Sequence, residues 1–286
     1  MYSHCLRHKL KFIDKQDIKM TNISILGCGW LGFPLAKAAV AKGIRVNGST
    51  TSPDKFSILE KAGIHSFLIT LESDFVSGAI EDFLKGSTIL IIDIPPKLRG
   101  TNKENFIGKI EKLIPFIEKS TIENILFISS TSVYGDENDQ VTEETVLNPD
   151  SEGGRQLAIV EGLLQGNSGF KTTILRFGGL IGEDRNPIRF LAGRENLDNP
   201  DAPINLIHLT DCIGIILRII EKNSWGETYN AAAPTHPSRE TYYTQKALEL
   251  NLVPPKFNHD KLSVGKTILE NKLVKKLNYT FTITNL

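Results

Sequence analysis

Cysteine is scarce: Cys5, Cys28 and Cys212 are the only three in 286 residues, and they lie far apart. So few thiols at such spacing exclude a disulfide framework and suit a reducing compartment, so a cytoplasmic setting is expected. Net charge is also lacking, with 33 Lys and Arg against 33 Asp and Glu. A general nucleic-acid binder needs a basic face to neutralise phosphates, so no nucleic-acid partner is expected. Long hydrophobic runs are absent too. A membrane helix needs roughly 20 mostly apolar residues. The longest apolar stretch, IGIILRII at 213–220, is broken by Arg218 and reads as a buried helix. No internal repeat or low-complexity segment occurs. What is present is 40% hydrophobic residues, enough for a substantial core in one large domain or two interlocked ones.

The first twenty residues, MYSHCLRHKLKFIDKQDIKM, are basic and carry no apolar h-region, so they do not read as a secretory signal. They precede the first strand and end in Met20. Residues 1–20 are expected to be a disordered extension or the product of too early a start codon. His4, Cys5 and His8 are metal-ligating residue types, but on such a tail they suggest adventitious binding, and no metal site is expected.

From residue 21 strand and helix patterns alternate. NISIL (22–26), IRVNG (44–48), IHSFLI (64–69), TILIIDI (88–94), NILFIS (124–129) and TTILR (172–176) read as strands. Helices are predicted near 30–42, after Ser52-Pro53, near 75–85, after a Thr101–Glu104 capping box, and over 153–165. Repeated strand–helix units give an α/β fold: a doubly wound parallel sheet of Rossmann type with helices on both faces. Beyond residue 176 Gly and Pro become frequent. Helices near 211–222, 239–250 and 268–276 are separated by irregular segments. The expected division is a sheet domain over 21–176 and a smaller substrate-covering lobe over 177–286.

GCGWLG at 27–32 fits G-x-G-x-x-G, directly after a strand and at the opening of a helix. Gly27 makes the tight turn, Gly29 lets the backbone approach a pyrophosphate, and Gly32 lets the helix pack on the strand. The helix N-terminus adds free N–H groups and a positive dipole end. Trp30 and Leu31 complete the loop, and Cys28 reads as a small loop residue rather than a reactive thiol. A nicotinamide dinucleotide is the expected ligand. An NAD site usually carries Asp or Glu about 20 residues on. Here Ser49, Thr50 and Thr51 stand in that place with Lys55 beyond, which favours NADP, with NAD as the alternative; the hydroxyls could equally cap the next helix.

SSTSVYGD at 129–136 resembles the extended short-chain dehydrogenase/reductases, the group of sugar-nucleotide epimerases and dehydratases. ILRFGGLIG (174–182), NLIHLTDCIG (205–214), GETYNAAAP (226–234) and LENKLVKKLNYTF (269–281) agree in order. The combination of GCGWLG, SSTSVYGD and RQL resembles the atypical YeeZ-like subgroup. The resemblance covers residues 21–281 and implies NAD(P) contacts at Ile94, Pro95 and Ser129, and a substrate-orienting hydroxyl at Ser130. It also implies a Tyr-x-x-x-Lys acid/base pair four and eight residues before Glu161. Those positions hold Leu157 for the Lys and Gly153 for the Tyr, so both groups are missing. Tyr134 is the nearest alternative proton donor, although the family's Tyr here mostly packs. Arg155, Arg176 and His208 are candidate substrate-binding residues; each also reads as structural.

Three functions remain open. One is an NAD(P)-dependent oxidoreductase or epimerase-like enzyme with a rebuilt acid/base site. Another is a non-catalytic dinucleotide sensor. A third, a dehydrogenase of the 6-phosphogluconate type, shares the early phosphate loop but not SSTSVYG. The expected partners are the dinucleotide and a small-molecule substrate, in a monomer or homodimer.

Overall fold

The computed structural model describes residues 21–96, 104–137 and 139–286. The expectations placed on residues 1–20, including His4, Cys5 and His8, and on Thr101 lie outside the described residues. A strand covered on both faces must be apolar along its whole length, and β6 (Ile89–Ile92) is, with all four residues buried. On one side it pairs with β1 (Asn22–Leu26), followed outward by β2 (Arg45–Thr50) and β3 (His65–Leu68). On the other lie β7 (Asn124–Ser130), β9 (Lys171–Phe177) and β12 (Thr228–Ala231). All six pairings are parallel. The chain winds outward in opposite directions from β1 and from β6. The crevice at their carboxyl ends is therefore the switch point where open α/β sheets bind ligands.

One face of the sheet is covered by α1 (Gly32–Ala41) and α7 (Leu209–Lys222), whose buried side chains join one cluster with those of β1 and β2. In α7 the buried Cys212, Ile215, Ile216 and Ile219 recur at helical spacing, which makes a continuous apolar stripe. The other face carries α3 (Ile80–Leu84), α4 (Phe106–Glu118) and α5 (Glu152–Gln165) over a second cluster. The short α2 (Phe56–Lys61) adds Leu59 to the first.

Three departures from the sequence reading have local causes. Residues 70–77 form a small antiparallel hairpin of β4 (Thr70–Leu71) and β5 (Val76–Ser77), so the helix expected from about 75 starts at Ile80. Helix α4 is capped by Asn105, whose side chain accepts from Gly108 N at 3.0 Å, a cap the sequence reading did not name. Ser52 makes no capping bond; its own N–H donates to Thr50 Oγ1, and Pro53–Lys55 form a 3-10 turn.

The expected boundary at residue 176 is not a clean cut. Strand β12 pairs with β9 in the main sheet, and α7 and α9 (Asn271–Leu277) pack on it, all from beyond that point. The smaller lobe is built from two stretches of chain, one before α7 and β12 with β10 (Gly179–Ile181), α6 (Ile188–Leu191) and β11 (Leu206–His208), and one after them with α8 (Arg239–Glu249). Its own core holds Ile181, Ile188, Leu206, Tyr242 and Ala247. The pair β8 (Gln140–Val141) and β13 (Thr267–Ile268) ties it back to the body. Buried Asp211 in the first turn of α7 accepts from Thr282 N, Ile283 N and the Tyr279 hydroxyl, fastening the C-terminal segment. No helix among the described residues is long and apolar enough to cross a membrane.

Candidate dinucleotide site

The loop between β1 and α1 has three glycines with three different surroundings. Gly27 has φ +105°, and a Cβ there would lie 2.3 Å from the Asp93 carbonyl oxygen. A Cβ on Gly32 would lie 2.1 Å from the Gly27 carbonyl oxygen, so helix and strand meet only because it is absent. A Cβ on Gly29 meets nothing within 4 Å. That open space in front of a backbone at a helix N-terminus is the shape a pyrophosphate requires. The residues present therefore fit a dinucleotide.

Strand β2 fixes the loop from the side. Ser49 is buried, and its hydroxyl accepts the Gly27 N–H at 2.9 Å while its carbonyl accepts the Cys28 N–H at 2.7 Å. Ser49 thus braces the loop as an acceptor and also lines the cleft. Cys28 is buried, and burial pushes its thiol up to about 12, so it is inert at neutral pH.

Gly27, Gly29, Ser49, Thr50, Thr51, Ile94 and Pro95 all line one cleft. The cleft also takes in Lys55, Glu72, Asp93, Glu104 and Lys109; the sequence reading named Lys55, and Glu104 only as part of a capping box. Its volume of about 230 Å³ is below the roughly 300–1,000 Å³ of drug-sized sites, so it encloses only part of a dinucleotide. Lys109, itself buried, is paired with Glu104 at 2.5 Å and lies 3.9 Å from Glu72. Asp93 follows the last residue of β6. Burial pushes its carboxyl up to about 8, against the Gly32 N–H and the Arg185 charge, which act to lower it. An acidic residue closing an apolar strand was a visible signal for Asp93. Glu72 and Lys109 come from a hairpin and a helix brought together only by the fold.

The remaining expected residues do not converge on this cleft. Leu31 turns into the core, and Gly32 lies beneath the loop. Ser129 donates to Glu161 Oε1 at 2.6 Å. Arg176 is buried in an ion pair with Glu161 at 2.6 Å and also donates to the Tyr134 hydroxyl. Burial works to lower the guanidinium's pKa, and the Glu161 bonds and charge outweigh it, so the net shift is upward. Tyr134 is 1% exposed, its hydroxyl donates to Asn230 Oδ1, and burial raises its pKa despite Arg176. Tyr134 and Arg176 are therefore spent on each other and on the sheet. Arg155 sits on the surface in an ion pair with Glu152. His208 caps α7, accepting from Thr210 N at 3.2 Å. Ser130 is half-buried and its hydroxyl accepts from Ser132 N at 3.1 Å. Leu157 joins the buried cluster containing Phe106, Phe127 and Val160, whereas a Cβ on Gly153 meets nothing within 4 Å.

Trp30 reaches from the phosphate loop to the smaller lobe. Its indole N–H donates to Asp184 Oδ1 at 2.8 Å, and Arg185 stacks on its ring at 4.9 Å. A Cβ on Gly182 would come within 2.9 Å of the indole, so the contact depends on glycine there.

No protein-family model matches the chain. Protein YeeZ of Escherichia coli K12 is 36% identical over 264 residues, covering 92% of this chain and 96% of that protein. Among solved structures, a conserved protein of unknown function from Silicibacter pomeroyi superposes with a TM-score of 0.75 at 20% identity, over 93% of this chain and 95% of that one. UDP-glucuronic acid 4-epimerase from Bacillus cereus, solved in complex with NAD, gives a TM-score of 0.75 at 17% identity, over 92% of each chain. The chain belongs to the YeeZ family.

Proposed function

We propose that this protein binds a nicotinamide dinucleotide, NADP ahead of NAD, in the crevice between β1 and β6. It works on a small molecule beneath the smaller lobe as an oxidoreductase or epimerase-like protein. The observation that carries the reading is the open space at Gly29 between two glycines that cannot bear a side chain. NAD in the similarly folded Bacillus cereus epimerase supports it. Thr50, Thr51 and Lys55 support the 2′-phosphate, since hydroxyls and not a carboxylate stand at the end of β2. When bound, the dinucleotide supplies hydride transfer. Gly29 makes room for its pyrophosphate, and Thr50, Thr51 and Lys55 hold its adenosine side. Ser130 is the residue left to orient a substrate oxygen.

A second reading, a dinucleotide sensor without turnover, is favoured by one observation. Gly153 and Leu157 leave no acid/base pair, and the alternative donor Tyr134 is locked among Arg176 and Asn230.

Calorimetric titration with NADPH and NADH tests the binding. The native chain is expected to bind both, NADPH more tightly. Gly29→Val is expected to lose at least about tenfold in affinity without losing its fold, because the new side chain occupies the pyrophosphate's place. Gly32→Val, in contrast, is expected to unfold. A folded Gly29→Val variant with native affinity would refute the site. Turnover of a nucleotide sugar with cofactor saturating separates the two readings: turnover favours the enzyme, its absence the sensor.

A further inference from the structure

The charges lining the cleft do not suit the ligand. Two lysines, Lys55 and Lys109, line the cleft with two carboxylates, Glu72 and Glu104, and with Asp93, whose carboxyl burial keeps protonated up to about pH 8. Lys109 is already engaged by Glu104 and Glu72. A pyrophosphate carries negative charge of its own, and backbone N–H groups at a helix N-terminus supply only partial positive charge. With Lys55 assigned above to the adenosine side, neither lysine of the cleft is left for the pyrophosphate.

The smaller lobe does. Residues Gly182 to Arg185 form a tight turn closed by two backbone bonds, Gly182 N to Arg185 O at 2.9 Å and Arg185 N to Gly182 O at 3.1 Å. The turn is pinned to the loop by the Trp30–Asp184 hydrogen bond. It lays the Arg185 guanidinium on the Trp30 ring, inside the phosphate loop's own sequence. Arg185 is close enough to Asp93, behind the loop, and to Cys212 to act electrostatically on both. Among the described residues its guanidinium makes no ion pair and no side-chain hydrogen bond. Here is an exposed, pre-oriented cation with its side-chain hydrogen-bond donors unused, on the Trp30 side of the phosphate loop. A planar guanidinium donates in pairs to phosphate oxygens, and stacking on an indole fixes its plane beforehand.

We propose that Arg185 is a cofactor-binding residue, closing from the smaller lobe onto the diphosphate of a nucleotide held at the phosphate loop. This rests on the dinucleotide reading above. It adds that cofactor affinity depends on the second lobe, and that occupancy is passed to that lobe through Trp30.

The test is calorimetry on the full chain with three probes, adenosine, ADP and NADPH, at low and moderate salt. Arg185→Gln is expected to weaken ADP and NADPH by at least about fivefold, as for loss of a charge-assisted contact, and to leave adenosine within about twofold. The loss should shrink as salt rises. Arg185→Lys is expected to keep most of the affinity, because the charge remains. Asp184→Ala removes the Trp30 tether but not the cation, and is expected to cost less than Arg185→Gln. Native ADP affinity in folded Arg185→Gln would overturn the assignment and leave the dinucleotide site standing. So would an equal loss for adenosine and ADP, or an equal loss in Asp184→Ala. No binding of ADP or NADPH by the unaltered chain would overturn both.

Discussion

Asp93 ends β6 with its carboxyl against the first turn of α1, where burial holds it at about 8 instead of 3.8. Between those values the folded chain keeps a proton that the unfolded chain releases. Its contribution to stability is fully present below about pH 4 and is lost as pH rises toward and through 8. The neighbouring thiols of Cys28 and Cys212 are pushed upward by burial and stay neutral across that window. Asp93→Asn should therefore match the native melting temperature near pH 4 and exceed it near pH 9. Parallel melting curves at both pH values would show that Asp93 does not titrate in that range. The phosphate loop itself was legible in the sequence, because glycine spacing after a strand dictates the turn. Asp93 was not singled out. Its importance comes from lying under Gly27 and Gly32, and that is a property of two adjacent strands.

Strands β7, β9 and β12 place Ser129, Arg176 and Asn230 opposite one another in register, and α5 lowers Glu161 onto the first two. The row bolts helix to sheet on the side away from the cleft's mouth. Its cost and benefit are asymmetric. Removing one partner strands a buried charge, worth roughly 3–5 kcal/mol, whereas replacing the pair with apolar residues of similar size is often neutral. Glu161→Leu alone should thus be strongly destabilised in urea unfolding, and Glu161→Leu with Arg176→Met should recover most of the loss. Additive losses in the double variant would contradict the pairing. The elements that build the row were readable from apolar runs and helical spacing. That Arg176 and Tyr134 turn inward was not. Side-chain facing at a strand end depends on register with β12, some fifty residues further on, and local sequence carries no trace of it.

The seven-stranded sheet takes its last strand, β12, from beyond β10 and β11 of the smaller lobe, and that lobe's α8 follows β12 in turn. Strand β9 has six of its seven residues buried, some of that cover coming from β12 and α7. A fragment of residues 21–176 should accordingly fail to fold. It would expose an apolar edge strand that invites association. Expected findings are aggregation in gel filtration and no cooperative thermal transition. A monomeric fragment with a sharp melt would show that the sheet is complete without its last strand. Composition announced the lobe, through its Gly and Pro content, but not the return of the chain. A parallel edge strand reads the same wherever it is finally placed.

That return bears on how the molecule is made. Synthesis runs from the N-terminus at roughly 5–20 residues per second, so β9 leaves the ribosome several seconds before β12 can. During that interval the nascent sheet has an open border, and β10, α6 and β11 of the lobe must be threaded out before it closes. The Asp211 clasp on Thr282 and Ile283 comes later still, within the last few residues of the chain. The order of manufacture leaves the protein's most exposed moment for a nascent-chain chaperone in the stretch between residues 177 and 228.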